Sequence, residues 1–334
     1  MRLPSAPDSS EAIPAEQQMM GHMKDERQND SGPLSDEGVG YYEIDGLGIE
    51  QDDSSASKLK DEIERLILDD RFELPPVPAV AQEVFEASSR PQTPIRELAR
   101  IAHRDAFIAG RVLRLANSAW YGFREPAGSL RDAIVRIGID EFRNVILTVG
   151  LKGEVFRSAD FQEEAERAWS HSIACAIAAS MIATHSGRVP PHRAFLAGLL
   201  HDIGLSVAFK AAAEHARSHP DEAEDIRLRT SGIAAQIHGR VGGLVAEKWS
   251  LDPGLTQAIV HHHAPENATV ERELVNITAV ADAAAFAAKA VAATKPRVLF
   301  GGDALSRVGV TGVSVEAFAE KLEIRVDEYI RAVD

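Results

Sequence analysis

From residue 58 onward the apolar positions fall at helical spacing. The stretch "SKLKDEIERLILDD" sets Leu59, Ile63, Leu66 and Ile67 on one face. The "LPPVP" at residues 74–78 then interrupts it, because proline lacks an N–H donor and restricts the residue before it. The same periodicity predicts helices over 79–88, 94–102, 105–117, 129–137 and 140–152, then longer ones over 160–185, 192–200, 206–216, 222–247, 253–263, 270–293 and 314–331. Strand alternation is hard to find, and the glycines and prolines at 122–128 and 187–191 punctuate helices rather than hairpins. The pattern therefore predicts an all-α, two-lobed domain over 58–293, divided into lobes 58–155 and 156–293. A helical extension follows over 294–334, ending in the amphipathic "SVEAFAEKLEIRVDEYIRAV", expected to pack on the second lobe or to mediate dimerisation.

Residues 1–57 lack this periodicity and are rich in Ser, Asp, Glu, Gln, Gly and Pro, a composition that cannot offset its own ordering entropy, so a disordered acidic tail is expected. Thirteen acids and three bases give it −10 of the chain's net charge of −15. Its "GYYEIDGLGI" (40–49) reads either as a short docking element or as more solvated tail. Residues 90–157 carry twelve bases against seven acids, a balance of +5. Two readings stand here: a partner surface that the tail masks, or ordinary solvated helix faces.

The remaining composition narrows the class. A chain of 334 residues with 45% hydrophobic side chains can bury a large core. Net acidity argues against wholesale coating of nucleic acid, which needs many cations against phosphates. Cys175 is the one cysteine, which rules out an intramolecular disulfide and a cysteine-based zinc site and fits a reducing cytoplasm. No uninterrupted apolar run approaches bilayer length and no secretory signal is evident, so a cytoplasmic, non-membrane protein is expected.

The candidate chemistry lies in polar groups on apolar faces. In "FLAGLLHDIGLSVAF" (195–209), His201 and Asp202 close an apolar run, where burial without partners would cost several kcal/mol in rough transfer terms. His171 shares a helical stripe with Cys175, Ala178 and Ile182, and His238 one with Val241, Val245 and Trp249. His262 and His263 follow Ala258 and Ile259 at helical spacing, and Asp282 sits with Thr278, Ala285 and Phe286. Each alone reads more readily as a core residue bonded to a backbone carbonyl than as a ligand. Together they form a set of N and O ligands suited to Fe, Mn, Zn or Ni, and two such ions sharing an aspartate suit phosphate-ester hydrolysis.

This order of H, HD, H, HH and D on successive helices resembles the HD phosphohydrolase superfamily, "HDIG" at 201–204 being its most specific piece. The chain more closely resembles the HDOD branch over residues 72–285. The resemblance rests on "LPPVP", "RVLRLANSAWYG" (111–122), "SLRDAIVRIG" (129–138), "AFLAGLLHDIG" (194–204), "HGRVGGLVAEKWSLDP" (238–253) and "IVHHHAPE" (259–266). It implies a bacterial signalling or regulatory protein acting through protein contacts, made by the basic first lobe or the groove between lobes, with a nucleotide ligand as an added option. Carried over by residue, the metal positions are His171, His201, Asp202, His238, His262, His263 and Asp282, with Asp202 as the bridging carboxylate and the residue on which hydrolysis would turn. The chain is similar, more distantly, to the HD-GYP phosphodiesterases, from which it departs in three places. Leu205 stands where those enzymes have lysine, "HHHAPENATVERELV" contains no Gly-Tyr-Pro loop, and Arg167 replaces a ligating glutamate one turn before His171. These departures favour a regulator without turnover; the retained ligand set favours the alternative, a metal-dependent phosphohydrolase of a nucleotide or cyclic dinucleotide.

Overall fold

The computed structural model describes residues 54–333 except 91–92, 119–120, 123, 157 and 292–303. Among the described residues every regular element is a helix: α1 (Ser54–Leu68), α2 (Ala79–Ser89), α3 (Ile95–His103), α4 (Ala106–Ala116), α5 (Leu130–Ile137), α6 (Ile139–Glu154), α7 (Gln162–Ser186), α8 (Pro191–Leu200), α9 (Ile203–Ser218), α10 (Ala223–Lys248), α11 (Pro253–His261), α12 (Arg272–Val291), α13 (Ala304–Arg307) and α14 (Val315–Val333), with single 3-10 turns before α10 and α12. The all-α expectation holds. The acidic tail and its "GYYEIDGLGI" lie outside the described residues, save for the last residues, which open α1.

Helix ends follow local chemistry. Asp105 and Ser129 cap α4 and α5 by accepting from first-turn backbone N–H groups, which have no acceptor within the helix. Gly187 ends α7 in the left-handed region at φ 65°, where a side chain would be strained. Asp252 caps α11 through the N–H groups of Gly254 and Leu255, and Pro253 follows at the first helical position. Asp252 also receives Arg193 Nη1 at 3.0 Å, and Arg193 Nε reaches Glu271 Oε2 at 2.9 Å. These bonds hold the Asp252 carboxyl below its usual range against the opposing effect of burial.

A prediction follows for pH. Because the folded carboxyl titrates below its unfolded value near 3.9, the cap's contribution is present above about pH 4 and fades as pH falls through the lowered value. Asp252→Ala should therefore cost about 1 kcal/mol near neutrality. Urea midpoints of variant and parent should converge in acid.

One hydrophobic core runs from Leu59 on α1 to Val333 on α14. Its longest elements, α7 and α10, pack against α8 and α9 respectively, and α12 lies along α7. Small residues bring backbones close. A Cβ on Gly198 would meet the backbone of Cys175 and Ala176 at 2.7–2.8 Å, and one on Gly242 would meet Ile259 Cγ2 at 2.6 Å. The glycines of "HGRVGGLVAEKW" thus serve helix packing, as their position between apolar residues implies. The "LPPVP" segment is tied to the later helices through its carbonyls and that of the preceding residue. Lys210 Nζ donates to Glu73 O at 2.6 Å, Lys248 Nζ to Leu74 O at 2.8 Å and Trp249 Nε1 to Pro75 O at 2.8 Å.

The C-terminal helix α14 packs on α7, α4 and α12. Tyr329 is fully buried, its ring 5.6 Å from that of Phe195 and its hydroxyl 3.4 Å from Thr148 Oγ1. The helical run Pro191–Ser218 is apolar and long enough to cross a membrane by composition, but 83% of its most apolar window is packed inside the protein. The sequence expectation considered uninterrupted runs; here two helices join across a break at His201 and Asp202.

Candidate metal centre

The break between α8 and α9 positions the centre. His201 keeps helical angles, whereas Asp202 turns to φ −101° and ψ 16°, and α9 begins at Ile203 rather than at 206 as periodicity predicts. Asp202 occupies the N-cap position of α9, yet its side chain caps nothing. An aspartate there normally accepts a first-turn N–H and contributes about 1 kcal/mol. Here the carboxylate turns instead toward imidazoles from three other elements.

All seven predicted residues converge on it. His171 from α7 lies with Nε2 3.7 Å from Asp202 Oδ2 and 2.8 Å from Oδ1 of Asp282, which comes from α12. His201 Nε2 is 3.2 Å from Asp202 Oδ2 and 3.6 Å from Asp282 Oδ1. On the other carboxylate oxygen, His238 of α10 and His262 at the end of α11 bring Nε2 within 3.3 and 3.6 Å of Asp202 Oδ1. His263 Nε2 reaches His238 Nε2 at 3.1 Å. Asp202 thus faces two sets, His171, His201 and Asp282 on one side and His238, His262 and His263 on the other. Three subsets hold their ligand atoms within 4.8 Å of one another.

Six of the seven residues are buried; His263 is exposed, a departure from the inward reading of both adjacent histidines. Helix α11 stops at His261, so His262 and His263 occupy a closing turn.

The tautomers decide what fits between these groups. His201, His238 and His262 each donate Nδ1–H to a carbonyl three residues earlier, those of Gly198 (2.8 Å), Ala235 (2.7 Å) and Ile259 (2.9 Å). A carbonyl only accepts, so in the neutral rings every Nε2 carries a lone pair. The Nε2 atoms of His238 and His262 then face each other at 3.2 Å, and His201 Nε2 and Asp202 Oδ1 are buried with no hydrogen bond. An electron-rich pocket of this kind requires a cation, and a carbonyl-anchored imidazole is the usual arrangement for a metal ligand. The donor set, imidazole with carboxylate, suits a divalent transition metal.

The titration behaviour agrees. Burial opposes charge on Asp202 and Asp282, but the surrounding imidazoles hold both carboxyls well below the usual range. Burial likewise opposes charge on His201, yet Asp202 holds it well above an ordinary histidine. Burial pushes His238 down, and partial burial beside His262 pushes His263 down to about 3. Without metal, protons take part of the cation's place.

Of the three departures, Arg167 is exposed and bonds Glu164 one turn earlier, so its charge is carried on the surface of α7. Leu205 is half-buried and packs against the core. Sequence reasoning undervalued Ser172 and Ser206, whose hydroxyls are buried with no hydrogen bond. Ser172 adjoins His171 and Ser206 follows Asp202 by four residues, but small hydroxyls on helices carry no sequence signal of their own. Cys175 is also buried, and burial pushes its thiol up, away from reactivity.

The HDOD domain profile matches residues 74–265, more than half of the chain and almost all of the ligand set. The chain belongs to the HDOD domain family. Solved structures share the fold. A protein from Shewanella amazonensis SB2B, described provisionally as a metal-dependent phosphohydrolase, is 22% identical and superimposes with a TM-score of 0.67, covering 84% of this chain and all of that one. An HDOD domain protein of unknown function from Geobacter sulfurreducens gives 23% identity and a TM-score of 0.56 over 84% of this chain and 97% of its own. A protein from Marinobacter aquaeolei VT8, described provisionally as a signal transduction protein, gives 19% and 0.58 over 84% of this chain and 66% of its own. At these identities the likeness is one of fold. An uncharacterized protein of Treponema pallidum (strain Nichols) is 23% identical over 221 residues, 63% of this chain, which spans 42% of that relative's length. The buried histidine and aspartate groups of this HDOD domain can hold a metal ion.

Proposed function

We propose that this HDOD protein is a cytoplasmic regulator in signal transduction that acts through protein contacts, and that its buried centre holds a divalent metal as a structural element. His171, His201, Asp202 and Asp282 would hold one ion and His238, His262 and His263, with Asp202 shared, a second. When bound, such ions supply Lewis acidity and fixed positive charge. The residues' own part is to tie α7, the α8–α9 break, α10, α11 and α12 at one point, with His201, His238 and His262 each locked by a backbone carbonyl and His171 by Asp282.

The observation that carries this reading over hydrolysis is Leu205. It puts an apolar, core-packed side chain where a cation beside the HD pair would neutralise a phosphoryl oxygen. The provisional description of the Marinobacter protein supports signalling. That of the Shewanella protein supports the second reading, a metal-dependent phosphohydrolase, and so does the division of ligands across the two Asp202 oxygens.

Metal content per chain, by plasma mass spectrometry on protein purified without chelator, tests the centre. We expect stoichiometric Fe, Mn, Zn or Ni in the parent, loss of it in Asp202→Ala, and no hydrolysis of bis-p-nitrophenyl phosphate or cyclic dinucleotides by the loaded protein. Hydrolysis abolished by Asp202→Ala would establish the second reading. A parent that stays metal-free after Mn and Zn are offered would reduce the seven residues to a hydrogen-bonding network.

A further inference from the structure

The basic character of residues 90–157 takes a definite form in the structure. Helix α3 and the start of α5 border an open cleft of about 600 Å3, with the apolar Ala99, Leu113 and Leu130 as well as Arg96, Arg100, His103, Arg104, Ser129 and Arg131 among its lining residues. Arg96, Arg100 and His103 recur at helical spacing on one face of α3. No carboxylate lines the cleft. Arg104 pairs with Glu83, but Arg96, Arg100, His103 and Arg131 make no ion pair or hydrogen bond among the described residues. None of the lining residues belongs to the metal centre.

Helix electrostatics explains only part of this. Cations near the end of a helix complement its dipole, which accounts for Arg100 and His103 in the last turn of α3. Arg96 and Arg131 occupy the second position of α3 and α5, the end where a cation is repelled. The first-turn N–H groups of Leu130 and Arg131, both lining residues, have no acceptor in the helix and add positive potential to the same place. Asp132, capped at its N–H by Ser129, is the nearest acid in that turn and offsets one of these charges. So much uncompensated positive potential, gathered in one concavity of a chain whose net charge is −15, is the arrangement that binds anions.

We propose that this cleft is a second ligand site, separate from the metal centre, which takes a small soluble anion bearing two or more phosphoryl groups, of the nucleoside diphosphate class. The guanidinium fork bonds phosphoryl oxygens in pairs, and the three arginines outside the pair with Glu83, Arg96, Arg100 and Arg131, match a diphosphate better than a single carboxylate. A volume of about 600 Å3 suits a small molecule. A nucleic-acid strand fits less well, since its phosphates continue beyond the cleft. Bound there, the ligand would tie α3 to α5 and so regulate the contact surface of the first lobe.

Calorimetric titration of the full chain with inorganic pyrophosphate and with ADP tests this. Saturable one-to-one binding that weakens with added salt is expected. Affinity should fall about tenfold or more for each arginine removed in Arg100→Ala and Arg131→Ala, with melting unchanged because both side chains are exposed. Asp202→Ala should bind as the parent does. The proposal is overturned if neither probe binds, if the arginine variants bind unchanged, or if binding disappears in Asp202→Ala instead. Binding of an oligonucleotide or of anionic phosphatidylglycerol vesicles without binding of pyrophosphate or ADP overturns it equally.

Discussion

Gly204→Ala is expected to empty the metal centre and lower stability by roughly 3 kcal/mol or more, the upper end of what overpacking costs. A Cβ on Gly204 would run into the carbonyl oxygen of His238 and lie 2.7 Å from the backbone nitrogen of Gly242. Neither obstacle is a flexible side chain, so α9 must move off α10. Those two helices carry Asp202 and His238, whose contact at 3.3 Å closes one side of the centre. Metal content and the urea midpoint should therefore fall together. Gly110→Ala on α4 is the control. Nothing lies within 4 Å of its added Cβ, its site is exposed, and helix propensity predicts a gain of about 0.5–1 kcal/mol with metal unchanged. If Gly204→Ala retained metal at the parental level, close approach of α9 and α10 would not be what sets the ligand geometry.

Tyr329→Ala should cost about 3–5 kcal/mol, the range for truncating a large buried aromatic. The side chain is fully buried against Phe195 of α8 and Thr148 of α6, and packed helices cannot fully close on the space it leaves. Tyr329→Phe should cost only about 1 kcal/mol, because the bond to Thr148 is long at 3.4 Å. Chemical denaturation of the two variants separates packing from hydrogen bonding. Equal losses would assign the role to the hydroxyl.

The success and the failures of reading this chain share a cause. Helix positions follow from local periodicity, and the predicted segments match α1–α12 and α14 within a few residues. The short α13 carries too few residues to show a period. The ligand set was legible because each member is a polar residue on an apolar stripe, and the core that hides the stripe necessarily brings such faces together. The onset of α9 was misjudged because Asp202 reads as a cap but serves the centre instead. The exposure of His263 depends on where α11 stops, which periodicity does not settle. The cleft beside α3 could be sensed only as a charge balance, since it arises where two helices meet. The burial of Tyr329 was invisible for the same reason: an amphipathic helix shows which face it hides and not what hides it.

The bond between Tyr329 and Thr148 joins residues 181 positions apart. During synthesis, α4, α7 and α12 all leave the ribosome before the helix that fills the space among them. Until residue 329 is free, those helices present an open apolar seat, and the nascent chain must stay in solution with that seat unfilled. Ribosome-bound intermediates of this protein are accordingly expected to be clients of chaperones until the last helix docks.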